Sequence, residues 1–220
     1  EEIPYQIEKT DGPPAAWIAV TLGATQTHTY AIEPGKAARR EPKVAVRQQG
    51  EFIEMDNGLL AVRLPAQGEA GGGIASPIAQ IRLPSGAWVG QGSWHTRRRL
   101  TNFTAQVVGD GTVFGKARLH YDFEGKGGVL DQTPSFYRMD ISLHPGKGHL
   151  VIEESYAMGR EDWWEFDCAA GWAPRNAVVK PHFGGFGRPD MKDPQGNPYP
   201  WPPNSLKIGQ TRMYDTLLNL

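Results

Sequence analysis

The run GQGSWHTRRRLTNF, residues 90–103, places Trp94 and His95 directly before three successive arginines, Arg97, Arg98 and Arg99. Arginine grips carboxylates in a two-pronged fork, so such a row suits an acidic sugar. Trp94 offers an apolar face for the C–H side of a pyranose ring. Histidine is the side chain that most readily moves a proton near neutral pH. Together these are the roles needed to cleave a polyuronate by β-elimination. One group neutralises the carboxylate, a second removes the acidified neighbouring proton, and an acid assists the departing oxygen. His95 is the candidate base, and Arg97 or Arg99 the neutraliser. On an extended strand Trp94, Thr96 and Arg98 share one face and His95, Arg97 and Arg99 the other. His95 then lies with two arginines and away from Trp94. The same run also suits a charged edge strand that resists sheet-to-sheet aggregation.

A second group is EDWWEF, residues 161–166. Adjacent tryptophans on a strand point to opposite faces, so one of Trp163 and Trp164 enters the core and the other can serve as a sugar platform. Glu161, Asp162, Glu165 and Asp167 add carboxylates, but the separation that a glycosidase pair requires is not written in a sequence. A third group is HFGGFGRPDMKDPQGN, residues 182–197. There Asp190, Asp193 and Asn197 could offer oxygens to Ca2+, although their spacing matches no EF-hand loop. His182, beside Gly184 and Gly185, could approach a ligand closely. With Trp94, Arg98, Trp163 and Trp164 it completes the candidate substrate-binding set. His144 and His149 flank the turn HPGKGH with no third ligand in view, so zinc and copper are not expected. Cys168 is the only cysteine, which rules out an intrachain disulfide and a cysteine-rich metal site. It reads as a buried thiol.

The elements that must carry these groups are strands. LLAVRL (59–64), RLHYDF (118–123), FYRMDISL (136–143) and LVIEESYA (150–157) alternate with a period of two. In RLHYDF, Leu119, Tyr121 and Phe123 take one side and Arg118, His120 and Asp122 the other. Further strands are expected at 17–22, 28–32, 44–47, 51–55, 78–83, 103–108, 163–169 and 176–180. The Asn57-Gly58 pair signals a type I′ hairpin turn, and PSGAW, GDGT and HPGKGH are further turns. About a dozen strands at this turn spacing predict an all-β fold, a two-layer antiparallel β-sandwich. GEAGGGIA (68–75) reads as a flexible loop. It is not followed by a helix, so it is no phosphate loop.

The 220 residues suffice for a substantial core. The expected domain spans 1–180, followed by a Pro/Gly-rich arm over 181–205. The segment 206–220 reads as a short helix, the end of the fold or the start of a further region, with Ile208, Met213, Leu217 and Leu218 near one face. The net charge of -1 provides no global field for nucleic acid or an acidic membrane surface. Basic residues do not alternate with aromatics as on an RNA-binding sheet, and no apolar run approaches the ~20 residues of a membrane span. The opening EEIPYQIEK carries no signal peptide, and the expectation is a secreted or periplasmic protein whose export signal has been removed.

EMDNGLLAVRLP, IAQIRLPSGAWVG, VFGKARLHYDFEG and SFYRMDISLHPGKGHLVIEESYAM follow one another in order. This texture, over roughly residues 50–172, resembles the galactose-mutarotase-like "supersandwich" domain of bacterial polysaccharide lyases and related carbohydrate-active enzymes. The resemblance implies work on a polysaccharide, and often export. It also implies a sandwich that commonly sits beside a helical toroid, with the active cleft between them. No catalytic motif of that family matches, so no catalytic residue is carried across. The expected function is a carbohydrate-active domain that binds or acts on an acidic polysaccharide, as part of a lyase. The alternatives are a non-catalytic binding or structural module of a larger extracellular protein, and a mutarotase-like enzyme or glycoside hydrolase.

Overall fold

A computed structural model describes residues 3–31, 41–127, 133–159 and 162–167, together with the backbone of three strands at 176–181, 205–208 and 214–219. Every regular element among them is a strand. In order these are β1 (Tyr5–Glu8), β2 (Ala15–Ile18), β3 (Ala45–Gln49), β4 (Phe52–Asp56), β5 (Ala61–Pro65) and β6 (Glu69–Ala70). Next come β7 (Gly73–Ile74), β8 (Gln80–Arg82), β9 (Trp88–Val89), β10 (Gln91–His95), β11 (Leu100–Asp110) and β12 (Gly115–Lys126). The last are β13 (Pro134–Leu143), β14 (Leu150–Ala157), β15 (Trp163–Asp167), β16 (Asn176–Pro181), β17 (Ser205–Ile208) and β18 (Tyr214–Asn219).

The architecture is the expected antiparallel sandwich. One layer is the four-stranded sheet β11-β12-β13-β14. Facing it are the five-stranded sheet β3-β4-β5-β8-β9 and the three-stranded sheet β10-β15-β17. Alternation explains the core. Leu119, Tyr121 and Phe123 of β12 and Tyr137, Met139, Ile141 and Leu143 of β13 point inward. They meet Ile53, Met55, Val62, Leu64 and Ile81 from the five-stranded sheet and Trp164 and Phe166 from β15. Each large apolar side chain buried in this way stabilises the fold by about 1.5–3 kcal/mol.

Several local expectations are corrected. The strand expected at 17–22 ends at Ile18 because β1, its partner among the described residues, begins at Tyr5, opposite Ile18. Val20 and Leu22 beyond it are exposed. Residues 28–31 form no strand. GEAGGGIA is no open loop but the β6-β7 hairpin, turned by Gly71 and Gly72 at positive φ. At Asn57-Gly58 only the glycine has positive φ, so the turn is not type I′. Asn57 works through its side chain. Its Oδ1 accepts from the Leu59 and Leu60 amides, and its Nδ2 donates to the His144 and Lys147 carbonyls, each at 2.7 Å. It therefore pins a turn of one layer to a turn of the other.

The C-terminal helix is also corrected, since 205–208 and 214–219 are strands. β18 pairs with β16 and β17 pairs with β15. Pairing to distant strands supplies backbone partners that a short, uncapped helix would leave unmet. Most of the Pro/Gly-rich arm lies outside the described residues.

Candidate functional site

The arginine row is not in a strand. β10 stops at His95, Thr96–Arg99 make a bend, and β11 begins at Leu100. The bend is organised by Asp162, which is almost fully buried. Its carboxylate accepts from Thr96 Oγ1 and Arg98 Nε, each at 2.7 Å, and from the Gly159 amide at 3.0 Å. Arg98 also donates to the Glu124 carbonyl. Arg98 is thereby committed to holding the bend. Arg99 meets Glu124 at 3.3 Å with both side chains well exposed, a pairing of little energetic weight. Arg97 is exposed and has no ion-pair partner among the described residues.

β10 and β15 divide the tryptophans. Trp94 lies half-buried on the core side, edge-on to Tyr121, Phe123 and Tyr137, and its indole N–H donates to the Ala75 carbonyl. Trp164 is completely buried and donates to Tyr137 Oη at 2.8 Å. On the outer side His95 stacks on Trp163, with ring centroids 5.0 Å apart and planes 15° from parallel. His95 Nε2 stands 3.2 Å from Glu165. Of the sequence candidates, then, the fold joins His95 and Trp163 on one outer strip. It turns Trp94 and Trp164 inward. His182, Cys168 and the Asp190, Asp193 and Asn197 group lie outside the described residues.

A richer constellation covers the outer face of the four-stranded sheet. The register sets Thr104, His120, Arg138 and Ser155 in one cross-strand row, and Gln106, Arg118, Asp140 and Glu153 in the next. Asp140 is buried beneath this face. It receives Arg118 through two parallel bonds of 2.8 Å, and Arg138 Nε lies 3.5 Å away. Burial pushes the Asp140 carboxyl up, but Arg118, Arg138 and Lys116 outweigh it and hold it below its ordinary value. With their inner nitrogens turned to Asp140, both arginines present Nη1 outward. Between these nitrogens sits the carboxylate of Asp11, at 2.9 Å from Arg118 and 2.7 Å from Arg138. Asp11 belongs to the loop joining β1 and β2, and its side chain is 70% exposed. The Arg138 hydrogen bond first, then the charge of Arg118, draws its carboxyl below the usual range. Beside the clamp, His120 stacks on Phe136 and its Nε2 lies 2.9 Å from Asp122. Lys116 joins from the other side, 2.8 Å from Glu8.

Alternation in RLHYDF put Arg118 on the side of His120 and Asp122, and FYRMDISL alternates likewise, but neither run pairs Arg118 with Arg138. What it lacked was the register that sets Arg118 against Asp140, and the hairpin that delivers Asp11 from over a hundred positions away. On the inner face, Tyr137 Oη donates to Glu154, whose carboxyl is raised by burial.

No protein-family model matches this sequence, and no curated protein matches it. Fold and site together define a class in structural terms: an antiparallel β-sandwich with a two-arginine carboxylate clamp on one outer face. No helix among the described residues is long and apolar enough to cross a membrane.

Proposed function

We infer that this is a carbohydrate-active β-sandwich domain that binds an acidic polysaccharide across the outer face of the β11–β14 sheet. The observation that carries the reading is the Arg118–Arg138 clamp, which holds an exposed carboxylate by one nitrogen from each guanidinium. A uronate carboxylate has the same shape and charge as that of Asp11. The hydroxyl and amide side chains at Thr104, Gln106 and Ser155 surround it with partners for sugar hydroxyls. With Asp11 displaced, Lys116, Arg118 and Arg138 face Glu8, Asp140 and Glu153, so the charges balance. Recognition is therefore directional rather than driven by a long-range field, and salt weakens it only mildly. The half-buried Trp163, stacked on the exposed His95, is a separate platform for a sugar ring.

His120 favours a second reading, β-elimination. It sits directly across from Arg138. There it can take the proton next to the clamped carboxylate, as the bond from the β-carbon to the glycosidic oxygen breaks, a carbon–carbon double bond forms, and the departing oxygen takes a proton from water to become a hydroxyl.

Titration with oligogalacturonate tests the first reading. Arg138→Ala is expected to weaken binding by about tenfold or more, and Asp11→Ala to strengthen it. Equal affinity in both variants would remove the clamp from the reading. For the second, the native chain should generate an ultraviolet-absorbing product that His120→Ala does not.

A further inference from the structure

A cavity of about 430 Å3 opens at the other layer, where the start of β4, the end of β5, the β6-β7 hairpin, β8 and the start of β10 converge. That volume is within the range of small-ligand sites. Its walls carry Phe52, Glu51, Gln67, Glu69, Gln80 and Gln91, and none of its lining residues is cationic. Arg63 is not among the lining residues. It lies over Trp88 and near the Phe52 ring, pairs with Glu54, and donates to Gln80 Oε1 at 3.1 Å. That last bond uses the carbonyl of Gln80 and leaves its amide N–H groups for a ligand. Glu51 and Glu69 have no ion-pair partners among the described residues, so their carboxylates are open acceptors. One wall is bare backbone. A Cβ at Gly92 would lie 2.1 Å from both the Ser76 hydroxyl and the Ile78 carbonyl, so only glycine fits there. Ser76, which also lines the cavity, is buried with no hydrogen-bond partner for its hydroxyl.

We propose that this cavity is a second binding site, for an uncharged sugar of one or two rings. Planar amides and carboxylates match pairs of adjacent hydroxyls, and Phe52 presents a ring to the apolar face of a pyranose. Unpaired carboxylates with no cation repel uronates, so the two sites select opposite chemistries. The site is independent of the arginine clamp, and its test separates the two.

Maltose, cellobiose and lactose are titrated into the full chain, with binding read by saturation-transfer NMR and calorimetry. At least one is expected to bind at millimolar concentration. Gln80→Ala and Glu69→Ala, both at the cavity rim, should each weaken it about fivefold, the loss of one neutral-ligand hydrogen bond. Arg138→Ala should leave it unchanged, and oligogalacturonate should not compete. The proposal is overturned if none of the three sugars binds at that concentration. It is equally overturned if binding survives both cavity variants or is lost with Arg138→Ala.

Discussion

At the scale of single residues, Asp140 governs the clamp by using the inner nitrogens of two arginines and so aiming the outer ones. Its depressed carboxyl makes its contribution pH-dependent. The stability it adds is complete above the ordinary aspartate value and is lost as pH falls through the lower folded-state value. Asp140→Asn should therefore destabilise the native chain by about 3 kcal/mol at neutral pH, since it leaves arginines without their buried partner. The gap to wild type should narrow as pH falls below the ordinary aspartate value. Urea unfolding at several pH values checks this, and a gap that stays constant would contradict it. Glu154 has the opposite sign. Burial raises its carboxyl, so the protonated form favours the fold. Stability is full below the ordinary glutamate value and falls as pH rises through the raised one. Glu154→Gln keeps an acceptor for Tyr137 and abolishes that loss. The variant should gain on wild type between acid and neutral pH in the same experiment.

Elements are held by a few side chains at their ends. Asn57 closes the β4-β5 turn with two hydrogen bonds and joins it to the turn between β13 and β14 with two more. Asn57→Ala should cost about 2 kcal/mol, because the carbonyls it serves lose direct partners. Gly111 lies just after β11 at a φ of 95°, and a Cβ there would stand 1.9 Å from the Val44 carbonyl. Gly111→Ala should be at least as damaging as the loss of Asn57, through strain and clash together. Thermal unfolding of the two variants ranks them. A Gly111→Ala protein as stable as wild type would show that the β3 entry yields to the added methyl group. The bend at Thr96–Arg99 obeys the same logic. Asp162, not strand pairing, decides its path, and a sequence that reads as an extended arginine row becomes a corner.

For the molecule as a whole, Trp94 ties the three-stranded sheet to the four-stranded one, whereas Trp163 lies on the outside against His95. Trp94→Ala should lose about 3–5 kcal/mol in urea unfolding, the cost of an aromatic core truncation. Trp163→Ala should lose much less. Equal losses would place both rings in the core and leave no outer sugar platform. The sequence alone determined the all-β class and the sandwich, because alternation and turn residues are local signals that name a buried face wherever the strand goes. The same alternation put Arg118, His120 and Asp122 on one side of RLHYDF. It also required Trp163 and Trp164 to face opposite ways. Tertiary structure decided which way. It also decided that the end of the chain pairs as strands, that Arg98 serves a buried aspartate, and that Arg118, Arg138 and Asp11 meet. These outcomes depend on register and on contacts between distant segments. Such contacts are set by the packing of whole sheets, not by the spacing of residues along the chain.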